Sequence, residues 1–180
     1  MYEPVQTTPF SFGYKLKSRL WNLVNSTLFR WSPFFLRKYR VALVRMFGGK
    51  IDWTSSLSAK ATIIDPWNLT MGKQSSLGDL SYVSCRAKVV IGSKSCIGRG
   101  VFLSTGSHNI YSEHFEMITG PIEIGDCVWV ATNSTILKGV KISEGAVIGA
   151  ESLVIDDVEP WTVVGGNPAK FIKKRVIKDA

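Results

Sequence analysis

The 180-residue sequence has few of the features that mark secreted, membrane-spanning or metal-binding proteins. Its three cysteines, Cys85, Cys96 and Cys127, form no C-x-x-C pair and leave one thiol over in any disulfide scheme. It has no run of about 18 uncharged apolar residues, and its first twenty residues lack the apolar stretch of a signal peptide. We therefore predict buried free thiols and a protein that is made and kept in the cytoplasm.

Acidic residues are scarce at both ends of the chain. Residues 1–50 carry nine Lys or Arg and one Glu. Residues 51–169 carry eight basic and twelve acidic residues, and residues 170–180 carry five basic residues and one acidic residue. Basic ends are compatible with nucleic acid, anionic lipid or a phosphate-bearing small ligand. No helix-turn-helix, zinc-finger or RNP signature is present, and the acidic middle would repel a polyanion, so we expect no nucleic-acid partner.

A six-residue repeat runs through most of the chain. From Ile124 it reads IGDCVW, VATNST, ILKGVK, ISEGAV, IGAESL and VIDDVE, with an aliphatic residue first and a small residue or Val fifth. The same pattern starts at residues 51, 57, 63, 71, 77, 83, 91, 97 and 103, with two-residue slips at Leu69-Thr70 and Val89-Val90. Neither a helix nor a half-exposed strand has this period.

A step of six is explained if each block is one short strand plus a corner. Three blocks then close a triangular coil of eighteen residues, with the first residue of each block inside. The sequence therefore predicts an all-β protein built as a parallel β-helix. Glycines are expected to relieve backbone strain at the corners, as at Gly92, Gly98, Gly125, Gly139 and Gly149.

The segment before the repeats has helical character. Leu16, Leu20, Leu23, Val24 and Leu28 follow a helical spacing, Pro33 divides the segment, and Gly48-Gly49 should end a second helix at Met46. Ser32 is a candidate cap for that second helix. Two interpretations stay open: these basic, aromatic-rich helices lie on a membrane surface, or they pack against the open end of the coil, which we favour.

One interruption, LSTGSHNIYSEHFEMITG at 103–120, breaks the repeat and contains both histidines, His108 and His114. Together with DPWN at 65–68, ITGPIEIGDCVWVA at 118–131 and PWTVVGGNPAK at 160–170, its TGSHN motif resembles the hexapeptide-repeat O-acetyltransferases. The resemblance is strongest to the colanic acid biosynthesis acetyltransferases. It implies a left-handed β-helix over residues 51–168 with an extruded loop at about 105–121. A basic helical segment, 1–50, would precede the β-helix and a basic tail, 169–180, would follow it.

The resemblance also implies a function and a site. It implies transfer of acetyl from acetyl-CoA, without a metal, to a sugar hydroxyl in surface polysaccharide synthesis, by a homotrimer with active sites between subunits. His108 matches the catalytic histidine, and imidazole, with a pKa of about 6.5, suits a general base near neutral pH. His114 is the rival base. The other candidates are Asn109, Asp65 and Trp129 for the acceptor side, and Ala131, Thr132, Ala150, Lys170 and Lys173 for the coenzyme.

One departure from the family concerns the coenzyme phosphates. Relatives commonly carry a lysine where this chain has Asp156, and the lysines after GGNP are expected to compensate. The γ-class carbonic anhydrases share the coil but need three histidines for zinc, and this chain has two. The alternatives that remain are acetylation of another hydroxyl or amino acceptor, such as an antibiotic or amino sugar, and a non-catalytic β-helix scaffold.

Overall fold

Most of the chain winds into a parallel β-helix of about six coils, as the repeat predicts. The structure is a computed structural model that describes residues 10–177. Among them, nineteen strands are numbered here in chain order, and a set of stacked parallel strands forms each face of a triangular prism.

The three faces take their strands in turn. The first face contains β1 (Lys50–Ile51), β4 (Leu69–Met71), β7 (Val89–Ile91), β12 (Ile122–Ile124) and β15 (Lys141–Ile142). The second contains β2 (Ser56–Leu57), β5 (Ser76–Leu77), β8 (Cys96–Ile97), β13 (Trp129–Val130), β16 (Val147–Ile148), β18 (Thr162–Gly165) and β19 (Lys170–Lys174). The third contains β3 (Thr62–Ile64), β6 (Tyr82–Ser84), β9 (Phe102–Ser104), β14 (Thr135–Leu137) and β17 (Leu153–Val154). A separate hairpin pairs β10 (Gly106–His108) with β11 (Met117–Thr119).

The first position of every six-residue block points into the prism, which confirms the repeat. None of these side chains is more than 2% exposed: Ile51, Leu57, Ile63, Met71, Leu77, Val83, Ile91, Ile97, Leu103, Ile124, Val130, Ile136, Ile142, Ile148 and Val154. Serines at the fifth position are buried at the corners, where their hydroxyls donate to carbonyls either of their own coil or of the next one. Ser95 Oγ donates to Gly125 O at 2.7 Å, and Ser134 Oγ donates to Gly149 O at 2.7 Å.

Coil length differs along the prism. Ile124 pairs with Ile142, a coil of eighteen residues, whereas Ile51 pairs with Met71 and Met71 with Ile91, which are coils of twenty. The sequence interpretation put the extra residues at 69–70 and 89–90, and this placement is wrong because those residues belong to strands β4 and β7. The extra length lies in the preceding corner, which holds a 3₁₀ turn at Pro66–Asn68 in the first coil.

Most of the corner glycines are explained by the close packing of neighbouring coils and not by a strained backbone conformation. Of the five glycines singled out, Gly139 alone has a positive φ, 83°. A Cβ on Gly92 would lie 2.5 Å from the carbonyl carbon of Gly125, and one on Gly98 would lie 2.8 Å from Val130 O. Strain relief is therefore the wrong reason for Gly92 and Gly98, which let stacked backbones approach.

Two helices precede the first coil. Helix α1 spans Phe12–Val24 and continues into a π-helical turn at Asn25–Phe29, and α2 spans Arg37–Met46. The predicted end at Gly48 is confirmed, and its φ of 99° explains the glycine. Ser32 does not cap α2, which begins five residues later without a side-chain cap; its hydroxyl donates to Phe29 O instead.

The helices cover the open edge of the first coil, as the favoured interpretation expects. Backbone groups at such an edge have no strand partner and would template aggregation. Here side chains supply the partners: Arg45 Nη1 donates to Ile51 O, Arg40 Nε to Leu57 O, and Trp21 Nε1 to Ile63 O. Asn25 Oδ1 accepts from Ile63 N. Each strand of the first coil is thus terminated by a helix side chain.

The other end of the prism is closed by the chain itself. Strand β19 turns back antiparallel on β18. Beyond it, Arg175 Nη1 donates to the carbonyls of Cys127 and Gly145, each at 2.8 Å, and so ties two coils together. The cysteines are free, as predicted, but only Cys85 is buried, since Cys96 is exposed and Cys127 is half-buried. Among residues 10–177, neither helix has the length and hydropathy that crossing a bilayer requires.

Candidate active site

The interruption of the repeat is an antiparallel hairpin that leaves the corner between the third and first faces. Strands β10 and β11 pair Gly106 with Thr119 and His108 with Met117. Thr105 is fully buried at the hairpin base, where its hydroxyl donates to Ser84 O at 2.5 Å. The base is therefore fixed to the coil, while His108 is carried out from the prism.

The hairpin holds the His108 ring in one orientation. Its Nδ1 lies 2.9 Å from the carbonyl oxygen of Phe115, and the two rings stack at a centroid distance of 4.5 Å and an angle of 5°. A carbonyl oxygen can only accept, so Nδ1 carries the proton in the neutral ring. The lone pair on Nε2 is then left free to take a proton, which is the arrangement that general-base catalysis needs.

The other candidate residues of the hairpin have different surroundings. Asn109 uses its side chain within the hairpin: Nδ2 donates to Glu116 Oε1 at 2.6 Å, and Oδ1 accepts from Tyr111 N. His114 is exposed near the tip, and its backbone N–H donates to Ser112 Oγ, whereas no hydrogen bond to its ring is found among residues 10–177. Hydrogen bonding thus orients the imidazole of His108 and leaves that of His114 unoriented.

A cavity of about 290 Å³ adjoins the hairpin base. Helix α1 forms one wall and the outer surface of the third face forms the other. The lining residues are mostly polar: Phe10, Tyr14, Lys15, Ser18, Arg19, Asn22, Ile64, Tyr82, Ser84 and Arg86. A Cβ on Gly106, two residues before His108, would lie 4.0 Å from Arg86 Cγ, so the cavity and the base of the histidine's strand are neighbours.

Asp65, expected on the acceptor side, is fully buried beneath this cavity. Its carboxylate accepts hydrogen bonds from Tyr14 Oη and from Ser18 Oγ, the latter at 2.5 Å, and Arg86 Nε lies 3.8 Å from Oδ2. Burial, followed by the hydrogen bond to Asp65, raises the pKa of Tyr14 to about 12. Asp65 therefore anchors α1 to the coil, and its placement on the acceptor side stays a prediction. The sequence pattern did not reveal Tyr14, Ser18 and Arg86, because their contacts with Asp65 are long-range.

The residues expected at the coenzyme lie along a different part of the prism. Trp129 is 51% exposed on the second face, and Ala131 and Thr132 follow it at the corner between the second and third faces. The next coil places Ala150 at the same corner, where Glu151 N donates to Thr132 O at 2.9 Å. The structure thus brings these small residues into one stacked edge, with Trp129 beside it.

Strand register also relates this edge to the C-terminal lysines. Trp129 pairs with Val147, Val147 with Val163 and Val163 with Lys173. At a strand spacing of about 4.8 Å, Lys173 lies roughly 14 Å from Trp129 along the second face. Lys170 lies near three acidic residues, because it lines a cavity of about 230 Å³ together with Asp156, Asp157 and Glu159. Lys173 is therefore the better placed of the two to meet a phosphate.

The candidate base and the candidate coenzyme residues lie at different corners of the prism. His108 extends from the corner between the third and first faces, whereas Ala131, Thr132 and Ala150 form the corner between the second and third. The width of the third face separates the two groups. Within the described part of the chain, no cluster of three or more His, Cys, Asp or Glu side chains has the arrangement of a metal site.

Comparison with known proteins identifies relatives along almost the whole chain. No protein-family profile matches the sequence. A protein of Escherichia coli K12 named as the colanic acid biosynthesis acetyltransferase WcaF is 38% identical over 167 residues, which cover 93% of this chain and 92% of the relative. A chloramphenicol acetyltransferase of Escherichia coli is 55% identical over 56 residues, covering 31% of this chain and 27% of that enzyme.

A solved structure shares the fold. The hexapeptide-repeat acetyltransferase VCA0836 of Vibrio cholerae, crystallised with acetyl coenzyme A, matches with a TM-score of 0.84 at 25% sequence identity. The match covers 96% of this chain and 94% of that one.

Proposed function

Since the chain belongs to the hexapeptide-repeat acetyltransferases, we propose that it transfers acetyl from acetyl-CoA to a sugar hydroxyl with His108 as the general base. The observation that carries the proposal is the hydrogen bond between His108 Nδ1 and the Phe115 carbonyl, which leaves Nε2 available as a base. The reference to colanic acid biosynthesis in the name of that relative supports an acceptor in surface polysaccharide assembly.

In the proposed reaction, His108 Nε2 takes the proton from the acceptor hydroxyl as its oxygen attacks the thioester carbonyl carbon. The carbon–sulfur bond breaks, and the imidazolium returns its proton to the departing thiolate. A base poised in this way contributes about 10²–10⁴-fold to the rate. Ala131, Thr132 and Ala150 are proposed to line the coenzyme groove, with Trp129 beside it on the acceptor side. Lys173 is proposed to lie at the phosphate end of the groove, with Lys170 in a secondary role.

The division of these residues between two corners favours a trimer. Its active sites would lie between subunits, so that His108 of one protomer faces the Ala131–Ala150 edge of the next. Side chains from two copies then complete each site. We place the acceptor in the cavity beneath α1, near the hairpin base, with Asn109 holding the hairpin and Asp65 holding the cavity wall.

A second acceptor class has an observation in its favour. The 56-residue match to chloramphenicol acetyltransferase supports acetylation of an antibiotic hydroxyl as the alternative. An acceptor panel decides between the two: free sugars, sugar-lipids, amino sugars and chloramphenicol are incubated with acetyl-CoA and the release of free thiol is followed. Turnover with chloramphenicol alone would favour the alternative.

The role of His108 has a matched control within the same hairpin. With the best acceptor, we expect His108→Ala to lower kcat by at least about 10²-fold, because general-base catalysis is removed. His114→Ala, at an exposed and unoriented ring, should stay within about twofold of the parent. Circular dichroism and size-exclusion chromatography verify that both variants fold. Undiminished turnover by His108→Ala, or an equal loss in His114→Ala, would remove His108 from the mechanism.

A further inference from the structure

The outer surface of the N-terminal helices exposes an unusual amount of apolar side chain. We use the name helix outer face for the exposed residues Phe12, Leu16, Leu20, Leu23, Leu28, Trp31, Phe34 and Phe35. Each is more than half exposed, and Trp31 and Phe34 reach 83%. A contiguous exposed apolar surface of this kind marks an interaction site.

The geometry of α1 explains why its leucines face away from the prism. Tyr14, Ser18 and Trp21 bind the coil through Asp65 and Ile63 and so define the inward stripe of the helix. Each of these inward residues is followed two positions later by a leucine, namely Leu16, Leu20 or Leu23. At 3.6 residues per turn, two positions rotate the side chain by about 200° around the helix axis, so the leucines point away from the prism. The helical spacing of the leucines therefore predicts the helix correctly, while within residues 10–177 their side chains stay more than half exposed.

The charges around this face have one sign. Lys15, Arg19, Arg30, Arg37 and Lys38 are exposed among the apolar residues, and residues 12–49 contain no Asp or Glu. Aromatic side chains at the turn between the helices accompany them, and Phe34 packs edge-on against Phe35 at 5.6 Å. Leucine, Trp and Phe on one surface with Lys and Arg around it is the composition of segments that lie in a membrane interface.

A shallow apolar groove opens on the same surface. It has a volume of about 400 Å³ and is lined by Thr27, Leu28, Trp31, Ser32, Pro33, Leu36 and Tyr39. Its mostly apolar lining suits a hydrocarbon ligand such as a lipid acyl chain. A second copy packed through the same face would bring its cations against those of the first.

We propose that the helix outer face binds the surface of an anionic bilayer, with its apolar side chains in the interface and its Lys and Arg against the lipid headgroups. The contact is peripheral, because neither described helix is suited to span a bilayer. The inference does not depend on the proposed reaction. It places the α1 cavity, lined by Lys15 and Arg19, at the edge of the membrane-bound face.

Vesicle sedimentation with the full-length protein tests the proposal. The protein should pellet with vesicles of phosphatidylglycerol mixed equally with phosphatidylcholine and much less with phosphatidylcholine alone. Raising the salt concentration should weaken the binding, because exposed charges are screened. The variant Leu16→Gln/Leu20→Gln/Leu23→Gln removes apolar surface without disturbing helix propensity, and we expect its partition coefficient to fall at least tenfold.

The opposite end of the prism provides the matched control. Ile155, Phe171 and Ile172 are 45–61% exposed there, close to basic residues of the C-terminal strand. The variant Ile155→Gln/Phe171→Gln/Ile172→Gln loses a similar apolar surface and should bind vesicles like the parent. If the control variant loses binding and the leucine variant keeps it, the proposal is overturned in favour of the C-terminal end.

Two further measurements separate membrane binding from subunit assembly and from catalysis. If the leucine variant changes its oligomeric mass in light scattering, the stripe is a subunit interface and the proposal fails. Acetyl transfer from acetyl-CoA to a soluble acceptor should be unchanged in the leucine variant, since these residues do not line the cavity. Failure to pellet with anionic vesicles overturns the membrane proposal and leaves the proposed reaction unaffected.

Discussion

At the scale of single residues, the buried carboxylate of Asp65 has the most constrained surroundings in the candidate site. Its backbone is in the left-handed region, with φ of 55°, and its side chain has no exposed surface. Tyr14, Ser18 and Arg86 together offset the cost of burying the charge. Asp65 thereby joins α1, the first long corner and the second coil.

The raised pKa of Tyr14 predicts a pH dependence of stability. Its phenol ionises at about pH 12 in the folded protein, because of burial first and then the bond to Asp65, and near pH 10 when unfolded. The folded state therefore holds this proton more tightly. The stabilisation is complete below about pH 10 and is lost as the pH rises towards 12.

We expect the stability advantage of the parent over Tyr14→Phe to shrink between about pH 9 and about pH 11.5. The change should be on the order of 1 kcal/mol, after a discount for the partial exposure of the phenol. Urea unfolding at the two pH values measures it. Tyr111→Phe, at a side chain that is 94% exposed, is the control and should show no such trend. Parallel behaviour of the two variants would contradict the assignment.

Single residues also show where prediction from sequence ends. The block-initial aliphatic residues could be predicted, because a period of six has one simple structural solution. His108 could be located through its motif. Its orientation by Phe115 could not, because it depends on the tip of a hairpin whose register tertiary contacts set. The contact of Tyr14 with Asp65 spans 51 residues and has no local signal.

At the scale of elements, the helices illustrate a similar limit. Helical spacing predicts that α1 exists but does not say which side packs. The packed side is chosen by polar groups, since Trp21 and Asn25 bind the open edge at Ile63, and the leucines are left outside. A pattern that weighs hydrophobicity alone places the leucines inward. The need to hydrogen-bond the backbone groups at the open edge overrides this hydrophobic preference, because an unpaired buried backbone group costs as much free energy as a lost hydrogen bond.

Arg40 allows a test of how much capping of the open edge contributes to stability. This guanidinium is buried and donates to the carbonyls of Leu57, Pro33 and Phe34. Burial, and then the charge of Arg37, lowers its pKa. We expect Arg40→Leu to reduce the free energy of unfolding by about 3 kcal/mol, because three carbonyls lose a charged donor.

Arg37→Leu is the control for Arg40→Leu on the same helix. Arg37 is exposed, and its removal relieves repulsion of Arg40, so the change should lie within about 0.5 kcal/mol of the parent. Urea denaturation followed by circular dichroism measures both variants. Similar losses in the two would mean that general loss of positive charge, and not edge capping, is responsible.

At the scale of the whole molecule, the prism separates the two halves of the proposed chemistry. Each chain presents a base on one corner and a coenzyme edge on another, with the third face between them. A rigid coil cannot bring its own corners together, because its interior is filled by the block-initial aliphatic residues. In the proposed trimer, the hairpin of each protomer reaches the coenzyme edge of the next protomer and so completes its site.

Subunit mixing tests this arrangement. His108→Ala retains the coenzyme edge, and Ala150→Trp retains the base but should block the edge with a large side chain. Each homotrimer is expected to be inactive. When the two are unfolded together in urea and refolded as an equal mixture, about one quarter of the sites should combine a native base with a native edge.

Thiol release from acetyl-CoA by the co-refolded mixture should therefore recover to about one quarter of the parent rate. The same variants refolded separately and then combined are the control, and they should stay inactive because protomers do not exchange. If both parts of the site belong to one chain, no mixture can assemble an intact site. Equal activity of the co-refolded and separately refolded samples would thus rule out a site shared between subunits.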